Sequence, residues 1–409
     1  MSGIRILRLA AGGDGVGKLD DGRTVFVPRT APGDLVEPAG LRAHKRFARA
    51  RLGRLLESSP DRVEPRCPHY VRDECGGCQL QHVAGPAQRE ARRGFVGEAL
   101  RRLARREVAD PPLVPAEQEF DYRAKITLAV SADGHRVGLH PYDRAEEVFE
   151  LEWCHITVPE LMELWQVLRR LRPLFPPRLD GLVLRMGREG GRHVLFRTTE
   201  GEGEVWGGAA PLHAELRRHN AVATIWWQPA GGAPRAMAGA GEAYPATVFE
   251  QVHPAMGDRV RAHALDALGA VEGRRVWDLY AGIGETTAAL VRAGASVESV
   301  ESDRRAVAEA ESRGPAARRH AGRVEDVLRE LKAPDLVITN PPRTGMDARV
   351  SEALERLAPE RVVYVSCDPA TLARDLGRLP GFRIAEVRAF DLFPQTAHVE
   401  TVVVLDRAS

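Results

Sequence analysis

The sequence lacks any long apolar run, and nothing in its 409 residues approaches the about 18 consecutive apolar residues of a membrane-spanning helix. Its first residues, MSGIRILRLAAGGDG, lack the apolar core of a secretory signal peptide. Cysteine is scarce, and five cysteines in a chain of this length do not form the disulfide framework typical of a secreted protein. We therefore expect a cytoplasmic protein that does not span a membrane.

The charge is nearly balanced overall but unevenly distributed. The first 125 residues carry 23 Lys and Arg against 17 Asp and Glu, a net charge of +6, which leaves −5 for the remainder of a chain whose total is +1. The stretch QREARRGFVGEALRRLARRE is the most basic part. A basic front half suits a polyanion such as RNA, although a solvated helix face would have the same composition.

Local sequence patterns divide the chain into four regions, because its length exceeds that of one growing hydrophobic core. Residues 1–57 consist of short alternating segments broken by AGGDGVGKLDDG and APGD, which predicts hairpins and an OB-like β-barrel. Residues 58–117 carry three cysteines and the basic helix. Residues 118–245 contain strand-like runs such as YRAKITLAV and ATIWWQP, which predict a mainly antiparallel central domain. In residues 246–409 strands alternate with helices, which predicts a doubly wound, Rossmann-like α/β domain.

A Gly-rich turn, VWDLYAGIGETTAALVRAG, links a strand to a helix in the last region. Gly282 and Gly284 would let the backbone turn tightly beneath a ligand at the helix N-terminus. The next strand, ASVESVESD, supplies Glu301, which is placed to accept hydrogen bonds from a ribose. Dinucleotide enzymes and S-adenosylmethionine methyltransferases both use such a loop, so the turn alone does not choose between them.

The segment LVITNPPRTG distinguishes these two classes. Its two prolines stiffen the strand exit and hold Asn340 in position to act on a ligand or substrate, which dinucleotide enzymes do not need here. An aromatic residue after Asn-Pro-Pro would suggest methylation of an exocyclic amine, and Arg343 at that position argues against it. The alternative interpretation of Asn340 is a simple turn residue.

A cysteine and a glutamate complete the chemistry. The segment VYVSCDPATLARDL ends an apolar strand with Cys367, at the place where an open α/β sheet exposes its reactive groups. Uracil C5 becomes nucleophilic when a thiolate adds to C6, and a base must then remove the C5 proton. Cys367 can supply the thiolate and Glu400, in TAHVETVVVL, the base. A buried small cysteine and a protective edge-strand charge are the alternative interpretations.

The motifs DLYAGIGETT, VESVES, TNPPRTG, VSCDPATLARDL and LFPQTAHVETVVVL together resemble the RNA (uracil-5-)-methyltransferase family. The likeness runs nearly end to end, because GGDGVGKLDDGRTVFVPRTAPGD resembles a TRAM domain and CPHYVRDECGGCQLQH resembles the iron–sulfur segment of the family. The resemblance implies transfer of a methyl group from S-adenosylmethionine to uridine C5 in RNA, with Cys367 as nucleophile and Glu400 as general base. The implied cofactor-binding residues are Gln251, Tyr280, Gly282, Gly284, Glu285, Glu301 and Asn340. Phe249 and Gln251 are implied to lie close to the target base.

Four cysteines form a second predicted site. Cys67, Cys75 and Cys78 are close in sequence, and Cys154 follows in LEWCHIT. Four thiolates can hold either zinc, the commoner structural metal, or an iron–sulfur cluster. The resemblance favours a [4Fe–4S] cluster, with a structural or RNA-positioning role.

The sequence departs from the family pattern at four positions. Asn340 stands where Asp is usual, and Glu285, His253 and Ala124 stand where Asn is frequent. We still expect a monomeric enzyme that acts on structured RNA. The resemblance favours ribosomal over transfer RNA, because some transfer-RNA members of the family lack the barrel domain. The alternatives are a base-amino-group RNA or DNA methyltransferase centred on Asn340, and a non-catalytic RNA-binding protein with a degenerate cofactor site.

Overall fold

The structure is a computed structural model that describes residues 3–187, 189–199, 206–239 and 251–408. Within these residues the chain forms three β-sheets, and α-helices pack against the second and third of them. No helix in the described ranges is long and apolar enough to cross a membrane.

The first sheet curves into a small barrel. Its strands are β1 (Ile4–Arg5), β2 (Arg8–Leu9), β3 (Gly15–Lys18), β4 (Thr24–Val27), β5 (Leu35–Ala43) and β6 (Phe47–Glu57). They pair in the order β1-β5-β6-β4-β3-β2. Because β1 and β2 are consecutive segments that pair with β5 and β3 respectively, the sheet closes on itself. Gly22, with φ of 83°, takes the left-handed conformation in the β3–β4 turn. The predicted barrel is confirmed.

The next region contains two helices and a short strand. They are α1 (Pro68–Arg72), α2 (Gly85–Arg102) and β7 (Leu113–Val114). The arginines of α2 are largely engaged within the protein. Their ion pairs are Arg89 with Glu119, Arg92 with Asp391, Arg93 with Glu90, Arg101 with Asp110 and Arg102 with Glu98. The fold thus neutralises most of the positive charge that suggested an RNA-docking surface on this helix.

The second sheet forms the central domain. Its strands are β8 (Lys125–Val130), β9 (Val137–Leu139), β10 (Phe149–Glu150), β11 (Leu179–Met186), β12 (Arg192–Thr198), β13 (Thr224–Gln228) and β14 (Arg235–Ala238). They pair in the order β10-β9-β8-β11-β12-β13-β14, and the β12–β13 pair is parallel whereas the others are antiparallel. Helices α3 (Pro159–Arg170) and α4 (Ala209–Arg218) cover one face, and a 3₁₀ turn spans Arg172–Leu174. The mainly antiparallel central domain is confirmed.

The third sheet carries the C-terminal region. Its further strands are β15 (Arg275–Leu279), β16 (Ser296–Glu301), β17 (Arg318–Ala321), β18 (Leu336–Thr339), β19 (Arg361–Ser366), β20 (Phe382–Phe390) and β21 (Glu400–Arg407). Its helices are α5 (Pro254–Leu268), α6 (Glu285–Arg292), α7 (Arg304–Arg313), α8 (Val324–Val327), α9 (Ala348–Leu357) and α10 (Pro369–Leu376). The strand order is β17-β16-β15-β18-β19-β21-β20-β7. Strands β15 to β19 are parallel, and β21 is antiparallel to both of its neighbours.

Helices cover both faces of this third sheet. Along β19, Val362 and Tyr364 point into one apolar core, whereas Val363 and Val365 point into the other. A strand buried on both faces reads as a continuous apolar run, which is the pattern of RVVYVS. The doubly wound α/β fold is therefore confirmed.

The cysteine-rich region is joined to the C-terminal sheet. Strand β7 extends that sheet by pairing in parallel with β20. Val96 and Leu100 of α2 lie in the same apolar core as Leu372 and Leu376 of α10. Residues 58–117 thus contribute a strand and a covering helix to the third sheet. The boundary predicted between residues 245 and 246 lies outside the described residues.

Candidate active site

A cleft of ≈ 1140 Å³ opens at the C-terminal ends of the parallel strands. This is the edge at which open α/β sheets bind their ligands, because the loops that follow adjacent strands meet there. The predicted site residues that line it are Gln251, Tyr280, Gly282, Glu301, Asn340, Cys367 and Glu400. The C-terminal ends of β15, β16, β18 and β19 supply Tyr280, Glu301, Asn340 and Cys367. The strand order therefore brings together residues that are distant in sequence.

The register of two antiparallel strands places the cysteine and the glutamate side by side. Ser366, the last residue of β19, lies opposite Thr401 in β21. The next position along this register joins Cys367 to Glu400, which is the first residue of β21. Both residues line the cleft. The structure therefore brings a thiol and a carboxyl together at one sheet edge.

Burial controls the protonation of this pair. Glu400 is 2% exposed, and its Oε2 has no hydrogen-bond partner among the described residues. Burial raises the pKa of the Glu400 carboxyl to about 8, and the nearby positive charge of Arg343 opposes this shift. Burial also raises the pKa of the Cys367 thiol. The negative charge of Glu400 raises this pKa further, whereas the positive charge of Arg343 lowers it. Arg343 thus favours the ionised form of both groups.

The Gly-rich turn holds the carboxylate of Glu301, the last residue of β16. Gly282 and Gly284 have φ of 56° and 75°, in the left-handed region that glycine enters without strain. The Gly282 N–H donates to Glu301 Oε2 over 3.0 Å, and the Asp303 N–H donates to Oε1 over 2.8 Å. Tyr280 also has a positive φ, of 62°, which is rare for a bulky residue. These contacts hold the Glu301 carboxylate against the turn at the cleft.

A smaller cavity of ≈ 110 Å³ adjoins the cleft and contains two further acids, Asp278 and Glu285. Glu285 forms an ion pair with Arg261 of α5, which offsets the charge of this departure from the family pattern. Burial raises the pKa of Asp278 to about 7, and the Thr287 hydroxyl donates to its Oδ2 over 2.5 Å. Asp278 was not among the residues predicted from sequence, although its place just before the Gly-rich turn was a usable signal.

The loop that follows Asn340-Pro341-Pro342 is held by the buried carboxylate of Asp375. Asp375 of α10 accepts hydrogen bonds from the Met346 N–H over 2.7 Å and from the Tyr364 hydroxyl over 2.8 Å. The adjacent Arg374 donates to the Thr344 carbonyl over 2.6 Å. Asn340 itself is exposed in the cleft. Sequence reasoning missed Asp375, because a single acid in a helix carries no signal of this tertiary contact.

The predicted residues next to the target base are only partly described. Phe249 lies outside the described residues. Gln251 lines the cleft, and its buried Oε1 has no hydrogen-bond partner among the described residues. His253 stacks on Tyr122 with ring centroids 4.8 Å apart, and burial lowers its pKa to about 4. This departure from the family pattern is therefore a neutral packed ring and adds no charge near the cleft.

All four predicted metal-ligand cysteines line one further cavity, of ≈ 330 Å³. Cys67 lies just before α1, Cys75 and Cys78 lie in the segment after it, and Cys154 lies in the loop before α3. In the described ranges, no group of three or more His, Cys, Asp or Glu side chains is arranged to hold a metal ion. Gly77, Arg123 and Val252 line both this cavity and the large cleft, so the two share a wall.

Comparison with known proteins identifies the family. The family model for tRNA (uracil-5-)-methyltransferase matches residues 296–408, and the TRAM domain model matches residues 3–52. An uncharacterized RNA methyltransferase of Gloeobacter violaceus is 32% identical over 99% of this chain and 96% of its own length. A 23S rRNA (uracil(1939)-C(5))-methyltransferase of Chromohalobacter salexigens is 34% identical over 99% of this chain and 89% of its own.

A solved structure agrees with these sequence relatives. The crystal structure of the Pyrococcus abyssi tRNA (uracil-54, C5)-methyltransferase in complex with S-adenosyl-L-homocysteine superposes with a TM-score of 0.73 and 25% identity. The match covers 98% of this chain and 99% of that one. The similarity therefore spans the barrel, the central domain and the C-terminal sheet together. The chain is an enzyme that belongs to the RNA (uracil-5-)-methyltransferase family.

Proposed function

We propose that this enzyme transfers a methyl group from S-adenosylmethionine to C5 of a uridine in structured RNA, through a covalent bond between Cys367 and C6. The observation that carries the proposal is the register of β19 and β21, which sets Cys367 beside Glu400 at the cleft. Tyr280, Glu301 and Asn340 line the same cleft and would hold the cofactor.

The two side chains would act in sequence. The Cys367 thiolate adds to C6 of the uracil, and the electron pair of the 5,6-double bond makes C5 nucleophilic. When bound, S-adenosylmethionine would supply an electrophilic methyl group, whose bond to sulfur breaks as C5 bonds to it, so that S-adenosylhomocysteine leaves. Glu400 then removes the C5 proton, the double bond reforms and the thiolate leaves C6. Arg343 assists both residues, because its charge favours the thiolate and the carboxylate.

Ribosomal RNA is the substrate class that we propose. Two relatives named 23S rRNA (uracil(1939)-C(5))-methyltransferases are 34% and 31% identical to this chain, whereas the transfer RNA enzyme of Pyrococcus abyssi is 25% identical. The closed barrel of β1 to β6 suits contact with RNA, because barrels of this kind bind single strands. We further propose that the enzyme acts as a cytoplasmic monomer.

The experiment that tests this function is nucleoside mass spectrometry of separated ribosomal and transfer RNA, from cells with and without the gene. Loss of 5-methyluridine from ribosomal RNA is the expected result. Loss from transfer RNA alone would overturn the substrate class but keep the reaction. Loss of a methylated adenine or guanine instead would favour an amino-group methyltransferase. If no nucleoside changes and calorimetry shows no S-adenosylmethionine binding, the cofactor site is degenerate.

We also propose that the four-cysteine cavity holds a [4Fe–4S] cluster. Cys67, Cys75, Cys78 and Cys154 supply the four thiolates that such a cluster needs. Zinc bound by the same four thiolates is the alternative. The Gly77 N–H donates to the Cys75 sulfur over 3.4 Å, a contact that suits a cluster ligand. When bound, the group would crosslink the cysteine-rich region to the central domain.

The cluster predicts a measurable iron and sulfide content. Protein purified without oxygen is expected to be brown, with a broad absorbance near about 400 nm, and Cys75→Ser is expected to lose most of this absorbance and of the bound iron. Cys367→Ser is the matched control, since this cysteine lies outside the cavity and its replacement should leave the iron content unchanged. Colourless wild-type protein that contains zinc would contradict the proposal.

A further inference from the structure

The base loop, residues 391–399, connects β20 to β21 and leads directly into Glu400. It has no helical or strand hydrogen bonding, yet it is deeply buried, with Asp391, Gln395 and Thr396 only 1%, 3% and 3% exposed. Gln395 takes a left-handed conformation with φ of 69°. A buried irregular segment must find hydrogen-bond partners outside itself, because unpaired backbone groups are costly.

One arginine of α2 supplies several of these partners. Arg92 is 1% exposed and lies 3.0 Å from the Asp391 carboxylate, which is equally buried. The same guanidinium donates to the Thr396 carbonyl over 2.9 Å and to the Phe393 carbonyl over 3.3 Å. A planar guanidinium can make such contacts together, whereas a lysine ammonium is a point charge with different geometry. Arg92 therefore ties the start of the loop to its middle.

A glutamine on the same helix holds the centre of the loop. The Gln88 Nε2 donates to the Gln395 Oε1 over 2.9 Å, and the Gln395 N–H donates back to the Gln88 Oε1 over 3.2 Å. Gln88 is 2% exposed, so these bonds are shielded from water. The reciprocal pair fixes both the side chain and the backbone of the residue that has the left-handed conformation.

The segment after Cys78 also forms hydrogen bonds with the base loop. The backbone N–H groups of Gln79 and Leu80 donate to the Gln395 carbonyl over 3.2 and 3.0 Å. The Ala397 N–H donates to the Gln79 side-chain oxygen over 3.3 Å. Together, Gln79, Leu80, Gln88 and Arg92 form what we call the brace.

From these contacts we infer that the brace positions Glu400, and that Arg92 and Gln88 are positioning residues for the proton-removal step. The Glu400 Oε2 has no hydrogen-bond partner among the described residues, so packing and the backbone that carries the side chain hold the carboxyl in place. Phe393, Thr396 and His398 of the base loop also line the cleft. This inference rests on the proposed function, in which Glu400 removes the C5 proton.

The test separates formation of the RNA adduct from its resolution. Arg92→Lys keeps a positive charge near Asp391 but loses the fixed geometry of the guanidinium. We expect it to slow adduct resolution by about 10- to 100-fold in single-turnover experiments, since a misplacement of about 1 Å can cost that much. The adduct should form at a rate within about threefold of wild type, so the trapped fraction on denaturing gels rises.

A second variant and a control guard against effects of folding. Gln88→Met removes the two bonds with Gln395, and those that Gln88 donates to the Leu80 and Val83 carbonyls, without leaving a buried charge. It should shift the adduct balance in the same direction. Arg102→Ala is the matched control, because this arginine lies on the same helix, is 71% exposed in its side chain and pairs only with Glu98 among the salt bridges of the described residues. Its kinetics should match those of wild type.

The possible results are distinguishable. If both steps fall together in Arg92→Lys and Gln88→Met, in proportion to the folded fraction, the brace is merely structural and the inference is overturned. If neither variant changes the balance while Glu400→Gln does trap the adduct, the brace fails but the proposed function stands. If Glu400→Gln traps no adduct, the proposed function itself fails.

Discussion

Replacement of Cys367 by alanine is expected to abolish both methyl transfer and the covalent RNA adduct. The thiolate is the group that makes C5 nucleophilic, and among the residues that the structure describes no other cysteine lines the large cleft. Removal of a nucleophile typically costs about 10⁴-fold or more in rate. Methyl incorporation into ribosomal RNA and denaturing gels of the enzyme–RNA complex measure the two effects.

The alanine variant also separates the proposed mechanism from its rival. S-adenosylmethionine binding should be unchanged by calorimetry, because the cofactor would contact Tyr280, Glu301 and Asn340. Wild-type turnover of uridine by Cys367→Ala would rule out covalent catalysis. Retained methylation of adenine or guanine would instead assign the chemistry to the loop that contains Asn340, with Cys367 as a packing residue.

Replacement of Glu400 by glutamine is expected to trap the enzyme on its RNA. Cys367 can still add to C6 and C5 can still accept the methyl group, but the C5 proton then has no base. Loss of a general base typically lowers the rate by about 10²- to 10⁴-fold. The adduct should therefore accumulate on denaturing gels and carry the transferred methyl group. Accumulation of an adduct without that methyl group would contradict the assigned order of steps.

The stability of the glutamine variant provides its control. The pKa of Glu400 is raised by burial to about 8 from an ordinary value of 4.5, so the folded state binds this proton more tightly than the unfolded chain. Its stabilising effect is complete below about pH 4.5 and is lost progressively as pH rises to about 8. Glutamine has no proton to lose. As pH rises across this window, the free energy of unfolding of Glu400→Gln should increase relative to that of wild type by up to several kcal/mol. Urea denaturation at several pH values measures this difference.

The sequence contained enough to predict the fold and most of the cleft, because those signals are local. The strand followed by Gly282 and Gly284, and the apolar run that ends at Cys367, each lie within one short stretch of sequence and indicate a ligand-binding loop. The proposed chemistry required Cys367 and Glu400 to lie close together. The antiparallel pairing of β21 with β19 brings them together.

Contacts between distant segments were not predictable in the same way. The arginines of α2 looked like an RNA-binding surface, since composition does not reveal that Arg92 is buried against Asp391. Strand β7 has only two residues and precedes its partner β20 by most of the chain. Residues of this kind are recognised only when the tertiary structure shows which groups they pair with.

The position of β7 and α2 also constrains how the protein can be synthesised and folded. Gln88 and Gln395 are hydrogen-bonded although they are 307 positions apart in the chain. Val96 and Leu100 on the apolar face of α2 pack against residues near the end of the chain. During translation this face therefore stays unpaired until nearly the whole chain has been made. Contacts of such long range slow folding and prolong the exposure of apolar surface. The core of the C-terminal sheet is for the same reason complete only with the early helix, because Val96 and Leu100 belong to it.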